Sequence, residues 1–259
     1  MCRDLSNDNA MSQVPIVEEF KPIPIRRDAG FLGQIAFAAR MTLDLQLLTC
    51  TRFLLPHLGK MQGNVVDVGC GEMPFRGLLS KTVHYTGVDV PAADDFGMRR
   101  HPEVVDFDGV NIPLADASHD YVLCTEVLEH ADDPVALISD MHRVLKPGGT
   151  LVATVPFSAR VHHAPHDYHR FTRYRLARMF SRFDSVTIEE RGDDLAVIAN
   201  KLIVICARLA KPLRPWRWPL LLLAAPPALL MLCIAHLSLY FRWGSKADPL
   251  GYGIVARKV

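Results

Sequence analysis

The chain has 259 residues, a length that suits one α/β domain carrying an insertion. Lys and Arg total 29 against 28 for Asp and Glu, so the net charge of +1 gives no reason to expect a general nucleic-acid binder. The 6 cysteines form no CxxC pair, which disfavours a zinc knuckle or a disulfide framework and favours a reducing compartment. No basic segment followed by an apolar one opens the chain, so we expect no secretory signal and a cytoplasmic location.

The N-terminal part of the chain divides into two segments. Residues 1–28 are polar and punctuated by prolines, and they predict a flexible leader because no apolar period is long enough to fold by itself. From Phe31 to Leu58 apolar residues recur at helical spacing, which predicts one or two amphipathic helices within residues 29–60. We expect these helices to pack on the domain that follows.

Residues 61–192 alternate short apolar runs with longer helical stretches, a pattern typical of parallel strands joined by crossover helices. Together with residues 248–259 they predict an α/β fold with a doubly wound, seven-stranded, mostly parallel sheet. The candidate strands are Asn64–Val68, Tyr85–Val88, Val104–Phe107, Tyr121–Cys124, Thr150–Val155, Ser185–Glu189 and Tyr252–Ala256.

The clearest helix follows the fourth predicted strand and runs from Pro134 to about Lys146. Asp133 precedes it at the position of an N-cap, Pro134 suits the first helical turn, and a Pro-Gly-Gly sequence stops it. The residues predicted for its apolar stripe are Val135, Ile138, Met141 and Leu145.

A glycine turn follows the first predicted strand, in the sequence VVDVGCG at residues 65–71. Such a turn brings the backbone close to a ligand. A dinucleotide-binding turn needs a third glycine for helix packing and a helix N-terminus that is free to meet the pyrophosphate. Here residue 74 is proline, and the acidic Glu72 is expected to open the helix. The carboxylates of Asp67 and Glu72 would repel a diphosphate and suit a cation. S-adenosylmethionine is such a ligand, because it carries an ammonium and a sulfonium and brings no phosphate.

Two more acidic residues follow the next strands. Asp89 ends the second predicted strand, where a carboxylate accepts hydrogen bonds from both ribose hydroxyls of a nucleoside. Asp108 ends the third, where it can accept one from the adenine amino group. An isolated Asp at a strand end is more often a turn former or a helix cap, but three in succession beside a glycine turn favour a nucleoside site.

Four stretches in this order resemble the class I S-adenosylmethionine-dependent methyltransferases of the type-11 group. They lie at residues 65–71, 87–90, 108–130 and 142–156. The resemblance implies a Rossmann-like sheet whose last strand is antiparallel, with S-adenosyl-L-methionine as cofactor. The cofactor-binding residues that it implies are Asp67, Gly69, Cys70, Gly71, Asp89, Val90, Asp108, Gly109, Thr125 and Glu126. The third glycine common in the wider superfamily is replaced here by the sequence EMPFR.

A histidine-rich loop follows the fifth predicted strand, at the edge of the sheet where substrates bind in doubly wound folds. It resembles an HxxPxDYxRFT pattern of type-11 relatives associated with envelope glycan or lipid biosynthesis. The residues taken as catalytic candidates are His163, His166, Asp167 and His130, and those taken as substrate-binding candidates are Tyr168 and Arg170.

The chemistry of this loop has open alternatives. Methyl transfer is an in-line displacement that depends mostly on positioning, and a base helps only if the acceptor loses a proton. His163 or His166 can take that proton near neutral pH, with Asp167 orienting the imidazole. Equally, Asp167 can pair with Arg170, and His130 with the preceding Glu can cap a helix. The histidines can also hold zinc, but a purely local set without cysteine seldom supplies four ligands, so we predict no metal.

An unusually apolar insert, residues 193–247, separates the sixth and seventh predicted strands. Its halves, Leu195–Leu209 and Pro219–Phe241, flank a basic loop that carries Trp216 and Trp218. The seventh strand must return to the same sheet, which excludes an odd number of membrane crossings, and the Pro226-Pro227 pair is expected to break the second half. We therefore predict a helical hairpin that contacts one leaflet through residues 194–243. A soluble lid or a dimer contact is the competing interpretation.

These features predict a methyltransferase attached to the inner face of the membrane. Its acceptor is expected to be a small molecule, a lipid-linked compound or a glycan, methylated on oxygen or less readily on carbon. Nucleic acid is not expected as a partner. The alternative hypothesis is a non-catalytic membrane-associated scaffold that retains the fold. A nicotinamide oxidoreductase is disfavoured by Glu72 and Pro74.

Overall fold

The computed structural model describes residues 22–27, 30–91, 97–99, 101–210 and 215–259. The predicted leader, residues 1–28, lies outside the described residues except for 22–27. Residues 211–214 of the predicted basic loop also lie outside them.

The described elements confirm the predicted helices before Gly59 and the seven predicted strands. The helices are α1 (Phe31–Leu43), α2 (Leu45–Leu58), α3 (Pro134–Val144), α4 (Arg173–Met179), α5 (Asp194–Ala210) and α6 (Trp218–Phe241). The strands are β1 (Asn64–Val68), β2 (His84–Asp89), β3 (Val105–Asp106), β4 (His119–Thr125), β5 (Leu145–Pro156), β6 (Ser185–Arg191) and β7 (Gly251–Arg257). Short 3-10 turns occupy Arg76–Leu78 and Pro215–Arg217.

The strands form one sheet in the order β3-β2-β1-β4-β5-β7-β6. Neighbouring strands from β3 to β5 are parallel, and β7 is antiparallel to both β5 and β6. The predicted mostly parallel sheet with an antiparallel last strand is therefore confirmed. The chain changes direction across the sheet between β1 and β4, and ligands of such folds bind in the crevice beyond the carboxyl ends of these strands.

The strongest predicted helix, α3, is confirmed with two corrections. The Asp133 side chain accepts hydrogen bonds from the Val135 and Ala136 amides, as an N-cap does. The helix ends at Val144 and not near Lys146, because Leu145 already pairs with His119 at the start of β5. Val135 is 43% exposed and so lies off the apolar stripe.

Apolar layers cover both faces of the sheet. Phe37 of α1 and Leu54 of α2 pack with Val65 and Leu123 on one face, as expected for the N-terminal helices. A second layer on the other face joins α3 and α4 to the strands and includes Phe180. Burial of such side chains contributes roughly 1.5–3 kcal/mol each, so the two layers fix the strand ends that carry the site.

The apolar insert forms a helical pair, α5 and α6, which pack against each other. The base of this pair, where α5 begins and α6 ends, is held together by Asp193. One Asp193 carboxylate oxygen accepts from the Ala196 amide at 2.8 Å and caps α5, and the other accepts from the Ser238 hydroxyl at 2.6 Å. The predicted break at Pro226-Pro227 is wrong, since α6 continues through both prolines. Packing of the following turns of α6 against α5 compensates for the missing amide donors.

The base of this pair lies at the same edge of the sheet as the carboxyl ends of the parallel strands. β6 ends at Arg191, which pairs with Gly251, and Gly251 in turn pairs with Pro156 at the end of β5. The amides of Phe157 and Ser158 both donate to the Leu250 carbonyl. The insert therefore leaves and re-enters the sheet beside the loops that follow β4 and β5.

Candidate active site

The turn after β1 is shaped by two glycines in the left-handed region. Gly69 has φ +69° and Gly71 has φ +49°, and the Gly69 amide donates to the Val88 carbonyl at 2.8 Å. A Cβ on Gly69 would overlap Val127 Cγ2 and would lie 2.9 Å from Val127 Cγ1. The turn therefore needs glycine both for its backbone angles and for its contact with the loop after β4.

Asp67, the last but one residue of β1, is a buried carboxylate with one oxygen engaged. The Tyr85 hydroxyl donates to Asp67 Oδ2 at 2.8 Å, and no described residue donates to Oδ1. Burial raises the pKa of Asp67 to about 7. The negative charge of Asp89 also raises this pKa, whereas the hydrogen bond from Tyr85 lowers it. A positively charged ligand at this turn would stabilise the ionised form.

Asp89, at the end of β2, links the second strand to the glycine turn. It accepts hydrogen bonds from the Gly71 amide at 2.7 Å and from the Val90 amide at 2.8 Å. Burial raises the pKa of Asp89, although both amides act against that increase. Each carboxylate oxygen keeps a second lone pair for a ligand hydroxyl, so the ribose assignment stays a prediction that the geometry permits.

Asp108 has a structural role in its own loop. Its oxygens accept from the amides of Val110 and Asn111 and from the Asn111 side chain, and these hydrogen bonds lower the pKa of the exposed carboxyl. Gly109 has φ +91°, and its position lies beside Val90. The contact of this loop with adenine stays a prediction.

Two expectations about the turn are wrong. Residue 72 begins no α-helix, and the only regular element between β1 and β2 in the described region is the 3-10 turn Arg76–Leu78. The Glu72 carboxylate is paired with Arg26 at 3.2 Å and with Arg99 at 3.1 Å. Burial opposes its ionisation, but hydrogen bonds from Arg99 keep the pKa of Glu72 low. The negative charge available to a cationic ligand therefore belongs to Asp67 and Asp89.

The loop after β4 approaches the turn from the other side. Glu126 has φ +54°, and its carboxylate lies 2.7 Å from the Arg191 guanidinium. The Arg191 side chain is buried and also donates to the carbonyls of Tyr252 and Val155. The sequence did not identify Arg191, because the contact joins β4 to β6 over a long chain separation. Thr125 ends β4, and Cys70 lies buried within the turn; their contact with the cofactor stays a prediction. Burial raises the pKa of the Cys70 thiol, which keeps it protonated.

Asp167 organises the histidine-rich loop through partners that were only partly foreseen. It forms a bidentate pair with Arg170, with oxygen-to-nitrogen distances of 2.6 and 2.7 Å. Its carboxylate also accepts from the His162 amide at 2.9 Å and lies 3.3 Å from His162 Nδ1. Burial acts to raise the pKa of Asp167, but these partners hold it well below its usual range. The imidazole that Asp167 orients directly is therefore His162, which was not predicted, and not that of His163 or His166.

The other histidines surround the same loop. His130 and His163 have ring centroids 5.4 Å apart, and burial lowers the pKa of each to about 4, with further lowering by neighbouring imidazoles. A histidine with so low a pKa is a weak proton acceptor, which argues against His163 as a base tuned to neutral pH. His166 is exposed and contacts the Tyr168 hydroxyl at 2.8 Å.

Together these strand ends fit an adenosyl cation. The buried Asp67 oxygen without a hydrogen-bond donor, the carboxylate of Asp89 and the close glycine turn supply negative charge and backbone access at one crevice. The predicted acceptor side is the loop containing Asp167, which is tied to the loop after β4 because the amides of Tyr168 and His169 donate to the Glu129 carbonyl. The predicted donor and acceptor positions thus lie at one edge of the sheet.

Known proteins share the central part of this chain. Residues 66–153 match the family model described as a methyltransferase domain. The ubiquinone biosynthesis O-methyltransferase of Idiomarina loihiensis is 38% identical over 113 residues, covering 38% of this chain and 45% of the relative. The demethylmenaquinone methyltransferase of Staphylococcus saprophyticus is 33% identical over 104 residues, covering 36% of this chain and 44% of the relative. The chain thus spans less than half the length of these curated relatives.

Solved structures support the same fold over a longer part of the chain. An S-adenosylmethionine-dependent methyltransferase from Archaeoglobus fulgidus superposes with a TM-score of 0.51 at 18% identity, covering 86% of this chain and 99% of that chain. At this identity the likeness establishes the fold alone. The sequence match and the strand order agree: residues 66–153 of this chain are similar to the methyltransferase domain, and they lie within a Rossmann-like sheet of seven strands.

Proposed function

We propose that the protein transfers the methyl group of S-adenosylmethionine to a small, lipid-linked acceptor at the membrane surface. One observation carries the proposal: the glycine turn, the acceptor loop and the base of the apolar helical pair all lie at the carboxyl edge of one methyltransferase-type sheet. The edge that holds the donor in such folds is thus also the edge from which the most apolar segment of the chain emerges.

The donor side depends on charge and backbone approach. S-adenosylmethionine supplies a methyl group on a sulfonium, which is a good leaving group. Asp67 attracts the positive charge of the donor, and Asp89 accepts from its ribose hydroxyls. Gly69 and Gly71 let the turn approach the methionyl part closely, while Val90 and Gly109 flank the adenine. Orientation of the donor in line with the acceptor then supplies most of the acceleration.

On the acceptor side, the chain supplies mainly positioning. Arg170 is fixed by Asp167, and the Tyr168 hydroxyl lies beside His166 at the exposed rim of the loop. The lowered pKa of His163 leaves its imidazole neutral at physiological pH. An acceptor oxygen that is acidic enough to ionise needs little help from a base. The names of the two curated relatives, which act in ubiquinone and menaquinone methylation, support a small lipid-like acceptor.

The membrane part of the proposal rests on exposed apolar surface. Helix α6 has 24 residues and a mean hydropathy of 2.2, with 17% of its most apolar window buried. Leu222, Leu223 and Leu230 are 71%, 75% and 64% exposed. Trp216 and Trp243 lie near opposite ends of α6 and are also exposed, as is typical of side chains at a membrane interface. By length and composition α6 is long and apolar enough to cross a membrane.

Charge supports contact with one leaflet. No Asp or Glu occurs between Leu195 and Trp243, whereas the segment carries Lys and Arg, several of them in the loop between the helices. Basic residues are attracted to the anionic cytoplasmic leaflet, and carrying that loop across the membrane would oppose the positive-inside tendency. The proposed arrangement is a monotopic hairpin on the inner face of the membrane.

The transfer itself is tested with full-length protein, methyl-labelled S-adenosylmethionine and vesicles of a total membrane lipid extract. We expect label in the organic phase, and mass analysis identifies the methylated lipid. Gly69→Ala serves as the cofactor-site control and should lose the signal. Binding of S-adenosylmethionine without transfer to any lipid fraction would refute the lipid-linked acceptor, and absence of both would favour the scaffold.

Membrane contact is tested separately by flotation with vesicles containing phosphatidylglycerol. The variant Leu222→Gln/Leu223→Gln/Leu230→Gln changes exposed side chains of α6 and should release the protein from vesicles. The matched control is Leu55→Gln/Val105→Gln/Val135→Gln, which replaces exposed apolar residues outside the insert. Equal flotation of the two variants would contradict a membrane role of the insert.

A further inference from the structure

Three titratable side chains from two separate loops meet at the acceptor side of the site. Glu129 and His130 follow β4, and His162 follows β5. One ligand atom from each, two imidazole nitrogens and a carboxylate oxygen, lies within 4.8 Å of the others. Glu129 Oε1 is 3.6 Å from His130 Nε2 and 3.9 Å from His162 Nε2, and the His130 and His162 ring centroids are 4.8 Å apart.

The carboxylate of Glu129 is buried without a hydrogen-bond donor. Its side chain is 0% exposed, and no described residue donates to either of its oxygens. The guanidinium of Arg170 is committed to Asp167 and to the carbonyls of His169 and Arg160. A buried carboxylate without a partner is costly to the fold, so this group requires a proton or a cation among the atoms that face it.

Both histidines are held with their Nε2 lone pairs toward this carboxylate. His130 Nδ1 lies 2.5 Å from the His166 carbonyl oxygen, which can only accept, so the proton of the neutral ring resides on Nδ1. His162 Nδ1 likewise lies 3.1 Å from the Arg160 carbonyl oxygen and 3.3 Å from Asp167 Oδ2. Imidazoles that donate Nδ1–H to a carbonyl or a carboxylate and direct Nε2 inward are typical of metal-ligating histidines.

We propose that Glu129, His130 and His162 form a binding site for a divalent transition-metal ion of the zinc class. Two imidazoles and one carboxylate are a ligand set for Zn²⁺ with one position left for water or substrate. Ligands at about 2.0–2.2 Å from a tetrahedral ion lie about 3.3–3.6 Å apart. The two Glu129 distances of 3.6 and 3.9 Å are near this spacing, and because the three ligand atoms lie within 4.8 Å of one another, binding requires a contraction of at most about 1.5 Å. The His163 ring lies beside this cluster, with its centroid 5.3 Å from that of His162.

The site goes beyond the proposed methyl transfer and does not require it. The prediction from sequence that no metal binds considered the histidine-rich loop alone, whereas two of the three ligands here come from the loop after β4. If methyl transfer is the activity, the open position faces the acceptor side, where a metal lowers the pKa of a bound hydroxyl. That consequence rests on the proposed function, but the binding of the ion does not.

The direct test is calorimetric titration of Zn²⁺ into chelator-treated, tag-free, full-length protein. We expect one ion per chain, with affinity reduced more than about tenfold by Glu129→Gln and by His162→Gln. His84→Gln, which changes an exposed histidine at the start of β2, is the control and should bind as the wild type does. Circular dichroism of each variant establishes that it is folded before it is titrated.

A second readout does not depend on the ligand variants. Co²⁺ in a four-coordinate nitrogen and oxygen environment gives intense visible absorption, which we expect at one equivalent and expect Zn²⁺ to abolish. Failure of the wild type to bind Zn²⁺ stoichiometrically, or binding unchanged in the two folded ligand variants, would overturn the proposal. Parallel titration with S-adenosylmethionine separates the metal site from the proposed methyl transfer. If the protein binds Zn²⁺ but does not bind S-adenosylmethionine, the proposed function alone is refuted.

Discussion

The Gly69→Ala substitution tests the geometry of the glycine turn through two separable costs. At φ +69° an alanine carries a backbone penalty of about 1–2 kcal/mol. Its Cβ also overlaps Val127, and relief of such crowding costs roughly 1–3 kcal/mol. We therefore expect the free energy of unfolding to fall by about 2–5 kcal/mol, and S-adenosylmethionine binding to be lost because the displaced turn blocks the donor.

A control and a double mutant separate these costs. Gly148 has φ +83°, and no atom lies within 4 Å of the place that an alanine Cβ would take there, so Gly148→Ala carries the backbone penalty alone. Val127→Ala removes both methyl groups nearest to the new Cβ, so the double variant should recover about 1–3 kcal/mol relative to additivity. Urea unfolding gives the free energies, and calorimetry gives the cofactor affinity. Equal costs for Gly69→Ala and Gly148→Ala, or strict additivity with Val127→Ala, would refute the reasoning.

Three further predictions concern the carboxylates and their partners. Because the pKa of Asp67 is raised to about 7 and the ionised form is expected to attract the donor cation, affinity for S-adenosylmethionine should rise from about pH 5.5 to about pH 8. Asp67→Asn should flatten this pH profile of the affinity measured by calorimetry. An unchanged slope in the variant would contradict the assignment. Asp89→Ala should weaken cofactor binding by roughly 1–3 kcal/mol, whereas Asp106→Ala on the neighbouring strand should not; equal effects would argue against the ribose contact. Arg191→Met removes the cation paired with Glu126 and the donor to the carbonyls of Val155 and Tyr252. Urea unfolding should therefore show a free energy of unfolding lower by roughly 3–5 kcal/mol. A decrease below about 1 kcal/mol would show that these contacts are dispensable.

Local patterns in the sequence were sufficient for most of the fold. The alternation of short apolar runs and helical stretches predicted the strands, and Asp133 and Pro134 marked the start of α3 because capping depends on adjacent residues. The end of α3 was misplaced because the pairing of Leu145 with His119 depends on a distant strand. The continuity of α6 through Pro226 likewise depends on its packing against α5, which local propensity does not contain.

The site was predictable only where one segment carries its chemistry. The turn around Gly69 and the carboxylate of Asp89 stand at strand ends that the sequence itself marks. The neutralisation of Glu72 by Arg26 and Arg99 was not foreseen, since ion pairs between distant segments leave no periodic signal. For the same reason the sequence did not show that Glu129 and His162 meet.

The central claim, that the crevice beyond β1 and β2 holds an adenosyl cation and not a diphosphate, is tested most directly by calorimetry on the wild-type protein. We predict that one S-adenosylmethionine binds per chain, that S-adenosylhomocysteine competes with it, and that a nicotinamide dinucleotide does not displace it. Tight binding of the dinucleotide together with no heat from S-adenosylmethionine would contradict the account.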